Sequence, residues 1–181
     1  RRIKSVLIIC PFPENSAAGQ RLKYEQYLED WNKRGIKTKV SSFVNDSTWN
    51  ILYEKGYFFK KIFGFLIGYF RRIRDLFRLR DYDLVYVFMW VTPYFSTFFE
   101  RIFLLISKKL IFDLEDNLLI KNNLNKRINP NYIATLFKNP NKQIILAKYS
   151  DAVITSSPEL EQICRELNKK KSSFYITSSV N

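Results

Sequence analysis

A cluster of carboxylates follows a short apolar run near the middle of the chain. Asp113, Glu115 and Asp116 fall within four positions in the segment KLIFDLEDNLLIKNN, directly after the run from Leu110 to Phe112. The chain is otherwise basic, with 30 Lys and Arg residues against 17 Asp and Glu and a net charge of +13. Carboxylates at the end of a buried strand can accept hydrogen bonds from a polar ligand, pair with a nearby Lys or Arg, or cap a turn. The segment is therefore a candidate site.

Other kinds of site are excluded or disfavoured by composition. The chain has no histidine, which excludes a histidine triad, a histidine general base and the usual zinc sites. Cys10 and Cys164 stand far apart without CxxC spacing, so we expect two free, buried thiols in a reducing compartment and no metal site. Lys or Arg interrupts each apolar stretch before the ~20 residues that a membrane-spanning helix needs. No secretory signal is visible, and the start at Arg1 leads us to expect a piece of a longer protein.

Short apolar runs alternate with helical patterns, which predicts right-handed βαβ units and a parallel sheet. The predicted strands are 3–10, 37–44, 83–89, 109–114, 152–156 and 173–176. The predicted helices are 21–34, a long region of about 48–80, 93–107, 141–149 and 158–167. We therefore expect one α/β domain with a Rossmann-like, doubly wound sheet. Ligands of such sheets bind beyond the carboxyl ends of the strands, where the carboxylate cluster is predicted to lie.

Two further segments follow predicted strands at the same edge of the sheet. PENSAAGQ, after the first strand, has small residues that let backbone N–H groups and a helix N-terminus approach an anionic group. It matches neither GxGxxG nor a Walker A loop, and a tight βα turn explains it equally well. Ser156 and Ser157 follow the fifth strand, where Ser157 is explained as the N-cap of a helix that begins at Pro158.

The region YFFKKIFGFLIGYFRRIRDLFRLR, residues 57–80, separates apolar from polar residues on a helical wheel. One side holds Gly64, Gly68, Asp75 and the basic residues, and the other is rich in Phe, Leu and Ile. This pattern predicts an interfacial helix whose basic side binds an anionic membrane surface. The alternative is a helix that packs its apolar side on the sheet and leaves its basic side in solvent. The predicted membrane-surface residues are Lys60, Lys61, Arg71, Arg72, Arg74 and Arg78.

The ordered set of segments resembles the N-terminal domain of GT-B-type glycosyltransferases of the group 1 class. Those chains often open with an apolar strand, a Pro-containing loop ending in Gly-Gly, an amphipathic helix and a Gly-His before the second strand. Here Ala18–Gly19 and Gly35–Ile36 stand at these positions with the family's separation. IFDLEDN, YSDAVITSSPELEQIC and FYITSSVN resemble later family segments. Ala18, Ile36 and the run 177–179 depart from the family's Gly, His and Pro-Asn-Gly.

The resemblance implies an enzyme that moves a sugar from a nucleotide-sugar to a glycan or lipid-linked acceptor, in cell-surface polysaccharide or glycolipid synthesis. Residues 1–181 would be the acceptor-binding domain, and a C-terminal domain outside this chain would hold the nucleotide. We therefore expect residues 1–181 alone to transfer no sugar. No metal or cofactor is implied besides the nucleotide-sugar substrate. Family members commonly act at the cytoplasmic membrane surface, which favours a cytoplasmic, peripheral location for this chain.

Two groups of candidate site residues follow from the resemblance. The donor-phosphate side would be formed by Gly19, Gln20 and Arg21. On the acceptor side, carboxylate and amide groups would accept hydrogen bonds from sugar hydroxyls and form a polar wall, with no general base assigned. The acceptor-side residues are Asp113, Glu115, Asp116 and Asn117.

Two other functional classes compete with the glycosyltransferase prediction. A basic α/β module without catalytic activity could bind RNA or DNA, since a positive charge attracts polyanions. Against it, the basic residues gather on a helix backed by phenylalanines, and neither RNP1 nor GXXG is present, so we expect no nucleic-acid partner. A nucleotide-binding oxidoreductase domain is disfavoured because GxGxxG is missing and no ribose-binding acid ends the second strand.

Overall fold

Six strands form one parallel sheet in the computed structural model, which describes residues 2–115, 139 and 141–177. Their order is β2-β1-β3-β4-β5-β6. The α/β, Rossmann-like domain expected from the sequence is confirmed, and each strand is one or two residues shorter than its predicted range. The strands are β1 (Ser5–Cys10), β2 (Lys37–Ser42), β3 (Leu84–Phe88), β4 (Leu110–Leu114), β5 (Ala152–Thr155) and β6 (Ser173–Tyr175).

The described residues include seven α-helices and two single turns of 3-10 helix. The 3-10 turns are Glu25–Tyr27 and Leu79–Asp81. The predicted helices 141–149 and 158–167 are confirmed with their bounds. The α-helices are α1 (Ala18–Lys23), α2 (Leu28–Lys33), α3 (Asp46–Leu52), α4 (Phe58–Leu76), α5 (Phe98–Ile106), α6 (Asn141–Tyr149) and α7 (Pro158–Leu167).

Three predicted helices differ from the structure, and the backbone supplies the reason each time. The predicted helix 21–34 is divided at Tyr24, whose φ of −135° leaves the helical region. The region 48–80 is divided before α4, because Gly56 and Tyr57 take left-handed conformations with φ of 83° and 54°. The helix predicted from residue 93 begins only at Phe98, after Phe95 has also turned left-handed.

Each face of the sheet carries its own apolar core, as a doubly wound sheet requires. Successive side chains of β1 alternate between the two cores. Val6 and Ile8 pack with Tyr24 and with residues of α2 on one face. Leu7 and Ile9 pack with residues of α5, α6 and α7 on the other face, where α4 contributes Leu76.

The two cysteines are free and buried, one in each core, as predicted. Burial raises the pKa of the Cys10 and Cys164 thiols to about 11. Both groups therefore stay protonated at neutral pH and are poor nucleophiles.

The strand order places the candidate site. β2 lies on one side of β1, and β3 to β6 follow in sequence on the other side. In sheets wound in this way, a crevice opens beyond the carboxyl ends of the strands where the winding direction changes. Here that point lies between β1 and β3, next to the end of β4.

Candidate functional site

Segments that follow three strands meet at the carboxyl edge of the sheet. Glu115, directly after β4, extends its carboxylate over Gly19 at the start of α1. A Cβ atom on Gly19 would lie only 2.8 Å from Glu115 Oε1. The hydroxyl of Ser156, directly after β5, donates a hydrogen bond to the backbone carbonyl of Glu115. The structure thus brings together two residues that the sequence assigned to opposite sides of one site, Gly19 and Glu115.

Asp113 does not line the open edge, so its predicted contact with an acceptor is wrong. Its side chain is buried, with 1% of the residue exposed. The Tyr86 hydroxyl donates a hydrogen bond to Asp113 Oδ2, and Lys23 Nζ lies 3.8 Å from Asp113 Oδ1. Lys23 also donates to the backbone carbonyl of Ile176. Asp113 therefore joins β3, β4, α1 and the end of β6, which is the strand-end pairing that the sequence left open as an alternative.

Burial and the neighbouring side chains shift the pKa of Asp113 in opposite directions. Burial raises the pKa of the carboxyl above its ordinary value, and the nearby Lys23 and Tyr86 only partly offset the effect. Asp113 Oδ1 accepts no hydrogen bond among the described residues, because Lys23 lies beyond hydrogen-bond distance. The folded state therefore favours the protonated form of Asp113 more than the unfolded chain does.

We expect the stabilising effect of Asp113 to be greatest at acid pH. Because its folded-state pKa is raised, its contribution is full below the ordinary value of 3.8 and is lost as the pH rises through the folded value. The free energy of unfolding of the wild type minus that of Asp113→Asn should therefore fall with rising pH in urea titrations. Asp83→Asn is a matched control of opposite sign, since backbone hydrogen bonds lower the pKa of Asp83. A difference that grows with pH for Asp113→Asn would show that the pair with Lys23 dominates.

The Gln20 side chain is buried and forms hydrogen bonds with the loop after β1. It therefore does not lie on the donor side, where the sequence predicted it. Its Oε1 accepts a hydrogen bond from the Phe12 amide at 3.0 Å. Its Nε2 donates to the Phe12 carbonyl at 3.0 Å and to Glu25 at 3.2 Å. These bonds satisfy the backbone of the turn after β1 and fix the path of the chain into α1.

Arg21 is exposed, one position beyond Gln20. One guanidinium nitrogen lies 3.4 Å from the carbonyl of Asn15, the residue of this loop that has a φ of 62°. Since α1 has only six residues, its N-terminal dipole is weak. The exposed positive charge beside Gly19 therefore comes from the Arg21 side chain, and not from the helix terminus that the sequence suggested.

Three further residues were predicted at this edge of the sheet, namely Ser157, Asp116 and Asn117. Ser157 caps α7 by accepting a hydrogen bond from the Leu160 amide, as predicted. Asp116 and Asn117 lie outside the described residues. Within ranges 2–115 and 141–177, no three Cys, Asp or Glu side chains are grouped so that they could hold a metal ion.

Helix α4 faces the sheet with the side that the sequence predicted to face solvent or membrane. The buried residues of α4 are Gly64, Gly68, Arg72 and Asp75. A Cβ atom on Gly68 would lie 2.7 Å from the Phe43 ring, and one on Gly64 would lie 2.6 Å from Thr48 Cγ2. The two glycines, four residues apart, therefore let the α4 backbone approach the segment after β2 closely.

Arg72 is completely buried, so its prediction as a membrane-surface residue is wrong. Its guanidinium donates to the carbonyls of Val91, Ser41 and Cys10 at 2.7, 3.1 and 2.9 Å. It also pairs with Asp75, at 3.1 Å. The cluster ties α4 to β1, β2 and the segment after β3.

The other five predicted membrane-surface residues divide into two groups. Lys61 and Arg71 are half-buried and donate hydrogen bonds to the backbone carbonyls of Glu54 and Ser42. The exposed residues are Lys60, Arg74 and Arg78.

Sequence reasoning missed two further buried ion pairs at this end of the sheet. Lys23 was not recognised as the partner of Asp113. Lys142 of α6 pairs with Glu100 of α5 at 3.3 Å, and Glu100 accepts the Thr92 hydroxyl at 3.0 Å. The usable signal was a single Lys within an otherwise buried helix side, which needs a buried carboxylate as partner.

Comparisons with known proteins do not assign the chain. No protein-family model matches the sequence, and a search of curated proteins finds no relative. Among the described residues, no helix is both long enough and apolar enough to cross a bilayer.

Proposed function

We propose that the chain is the acceptor-binding domain of a GT-B-type glycosyltransferase, and that a sugar binds at Glu115, beside Gly19. The observation that supports the proposal is the contact between these two residues. The resemblance selects Gly19 and Glu115 from segments almost 100 residues apart, and the fold places one against the other at the carboxyl edge. Ligands of parallel α/β sheets bind at this edge.

Glu115 provides the chemistry for binding a sugar in this proposal. A carboxylate accepts two or more hydrogen bonds, so it can bind neighbouring hydroxyls of a sugar ring. Gly19 has no side chain, which leaves room for the Glu115 carboxylate above the start of α1. The Glu115 carboxylate would repel a phosphate at the same place. We therefore assign the position beside Gly19 to the sugar, and we assign the donor diphosphate to a position nearer the exposed Arg21.

The rest of the proposal follows from the family resemblance. A second domain would hold the nucleotide, and the acceptor would be a glycan or a lipid-linked glycan in polysaccharide or glycolipid synthesis. Arg21 would stabilise the charge that develops on the leaving diphosphate. Asp113 does not act as a base in this scheme, since it is buried and paired. Lipid-linked acceptors place the reaction at the cytoplasmic face of a membrane.

A titration followed by NMR tests the binding site. Amide spectra of the 181-residue chain are recorded with millimolar nucleotide-sugars and oligosaccharides. We expect shift changes at Gly19, Arg21, Glu115 and Ser156. Glu115→Gln should weaken the binding about tenfold, because one charge-assisted hydrogen bond is lost.

The matched variant is Gly19→Ala, which keeps the charge of Glu115 but displaces its carboxylate. It should also weaken binding, without a change of the melting temperature beyond a few degrees. Shift changes confined to other parts of the domain would refute the site. Tight binding of RNA at physiological salt, with no response to any sugar, would favour the nucleic-acid alternative.

A further inference from the structure

We infer that the outward face of α4 is a docking surface for an anionic lipid membrane. Six large apolar side chains form this face, which we call the apolar ridge. They recur every three or four residues and lie on one side of the helix. Their exposed fractions range from 41% to 83%. The residues of the ridge are Phe59, Phe63, Leu66, Phe70, Ile73 and Phe77.

The ridge is held outward by the opposite side of the helix. Turning the ridge inward would expose Arg72 and Asp75, which are now buried against the sheet. It would also break the hydrogen bonds from Arg72 to three backbone carbonyls. It would also remove the glycine contacts with Phe43 and Thr48. The exposure of the ridge is therefore part of the packed fold, and soluble domains rarely present so large an apolar surface without a binding role.

The loop before α5 and the first residue of α5 extend the apolar surface. Phe95 and Phe98 are more than half exposed. Together with Leu66 and Tyr69 of α4, they line an open groove of about 370 Å³. The surface is therefore broader than one helix, and a helix of 19 residues lying flat would extend it over about 28 Å.

Charge favours a lipid surface over a second copy of the chain. Lys60, Arg74 and Arg78 are exposed and follow one border of the ridge at helical spacing. The one acidic residue of α4, Asp75, is buried. A two-fold dimer through the ridge would bring two basic borders together, whereas anionic headgroups would neutralise them. Aromatic side chains bordered by Lys and Arg are typical of helices that lie in the membrane interface.

This docking surface does not depend on the sugar site, so the two proposals fail separately. The test is flotation of the 181-residue chain with vesicles of phosphatidylcholine alone or mixed with phosphatidylglycerol. We expect binding only to the anionic vesicles, with weaker binding at high salt. Glu115→Gln should float like the wild type.

Three sets of substitutions separate the contributions to binding. Removing the basic border with Lys60→Gln, Arg74→Gln and Arg78→Gln should weaken vesicle binding about 100-fold. Phe63→Ser with Phe70→Ser should weaken it about tenfold or more, because less apolar surface enters the interface. The control removes the same charge elsewhere, with Lys33→Gln, Lys169→Gln and Lys171→Gln, and should bind like the wild type. Unchanged thermal unfolding verifies that each variant is folded.

Three results would overturn the inference. The first is a wild-type chain that ignores anionic vesicles at low salt. The second is a control variant that loses as much binding as the border variant, which would reduce the effect to net charge. The third is a stable dimer that Phe63→Ser with Phe70→Ser dissociates in sedimentation, without any vesicle binding, which would make the ridge an interface between copies.

Discussion

Replacing Arg72 with methionine is expected to destabilise the domain by about 3–5 kcal/mol, because it leaves a buried carboxylate without its charged partner. Among the described residues, the Asp75 side chain would keep only the Ser41 hydroxyl, at 2.6 Å, and the distant Arg74, at 3.7 Å. Three backbone carbonyls would also lose the guanidinium group that donates hydrogen bonds to them. Urea unfolding followed by tryptophan fluorescence measures the loss.

Arg74→Met is the matched control for Arg72→Met. Arg74 lies two residues along the same helix, but its side chain is 53% exposed. Exposed ion pairs contribute about 1 kcal/mol or less, so we expect a correspondingly small change. Equal stability losses for the two variants, or a larger loss for Arg74→Met, would contradict the orientation of α4.

Gly68→Leu is expected to destabilise the domain by about 1–3 kcal/mol, through overpacking between α4 and Phe43. Even a Cβ atom at this position would meet the Phe43 ring at 2.7 Å and the Phe43 carbonyl at 2.8 Å. In a solvent-exposed helix the same change would stabilise by up to about 1 kcal/mol, because leucine is a much better helix former than glycine. The sign of the change in the free energy of unfolding therefore reports which side of α4 faces the sheet.

Phe70→Leu provides the comparison on the opposite side of the helix. Phe70 belongs to the apolar ridge and is 69% exposed, so a smaller apolar residue should alter stability by less than about 0.5 kcal/mol. If Gly68→Leu were as stable as the wild type while Phe70→Leu lost stability, the ridge would be packed against the sheet.

The fold was predictable because strands and helices leave different periods in a sequence. The run from Val6 to Cys10 is apolar without interruption, as burial on both faces of a parallel sheet requires. Ser157 and Pro158 mark the start of α7 by capping chemistry alone. The helix break at residues 56 and 57 was not predictable. Tyr57 has a left-handed conformation there, which tyrosine residues rarely take.

The orientation of α4 could not be read from its amphipathic pattern. The usual rule turns the apolar side of a helix toward the core, but here a seam of two glycines, an arginine and an aspartate is buried. Two local signals were available, namely the spacing of Gly64 and Gly68, and the Arg72–Asp75 pair at i,i+3. Arg72 is the buried arginine of the RRIR run because it reaches hydrogen-bond acceptors from β1, β2 and the segment after β3. These acceptors are far away in sequence.

The candidate site was predicted in part. Asp113 and Glu115 point to the same side of the chain, but Asp113 still lies within β4, under α1, whereas Glu115 lies past the end of the strand. Alternation could place both on one face, but the depth of each under α1 depends on where the strand ends. Lys23, the partner of Asp113, comes from a helix 90 residues earlier in the sequence, so the pair depends on the tertiary fold.

Sugar transfer is the reaction that tests the proposed function most directly. The protein expressed from its complete reading frame is incubated with membrane lipid extract and a panel of radiolabelled nucleotide-sugars. We predict that label enters a glycan or a glycolipid, and that Glu115→Gln lowers the rate at least about tenfold while its melting temperature stays that of the wild type. Absence of transfer from every nucleotide-sugar, or an equal rate for Glu115→Gln, would contradict a sugar site at Gly19 and Glu115.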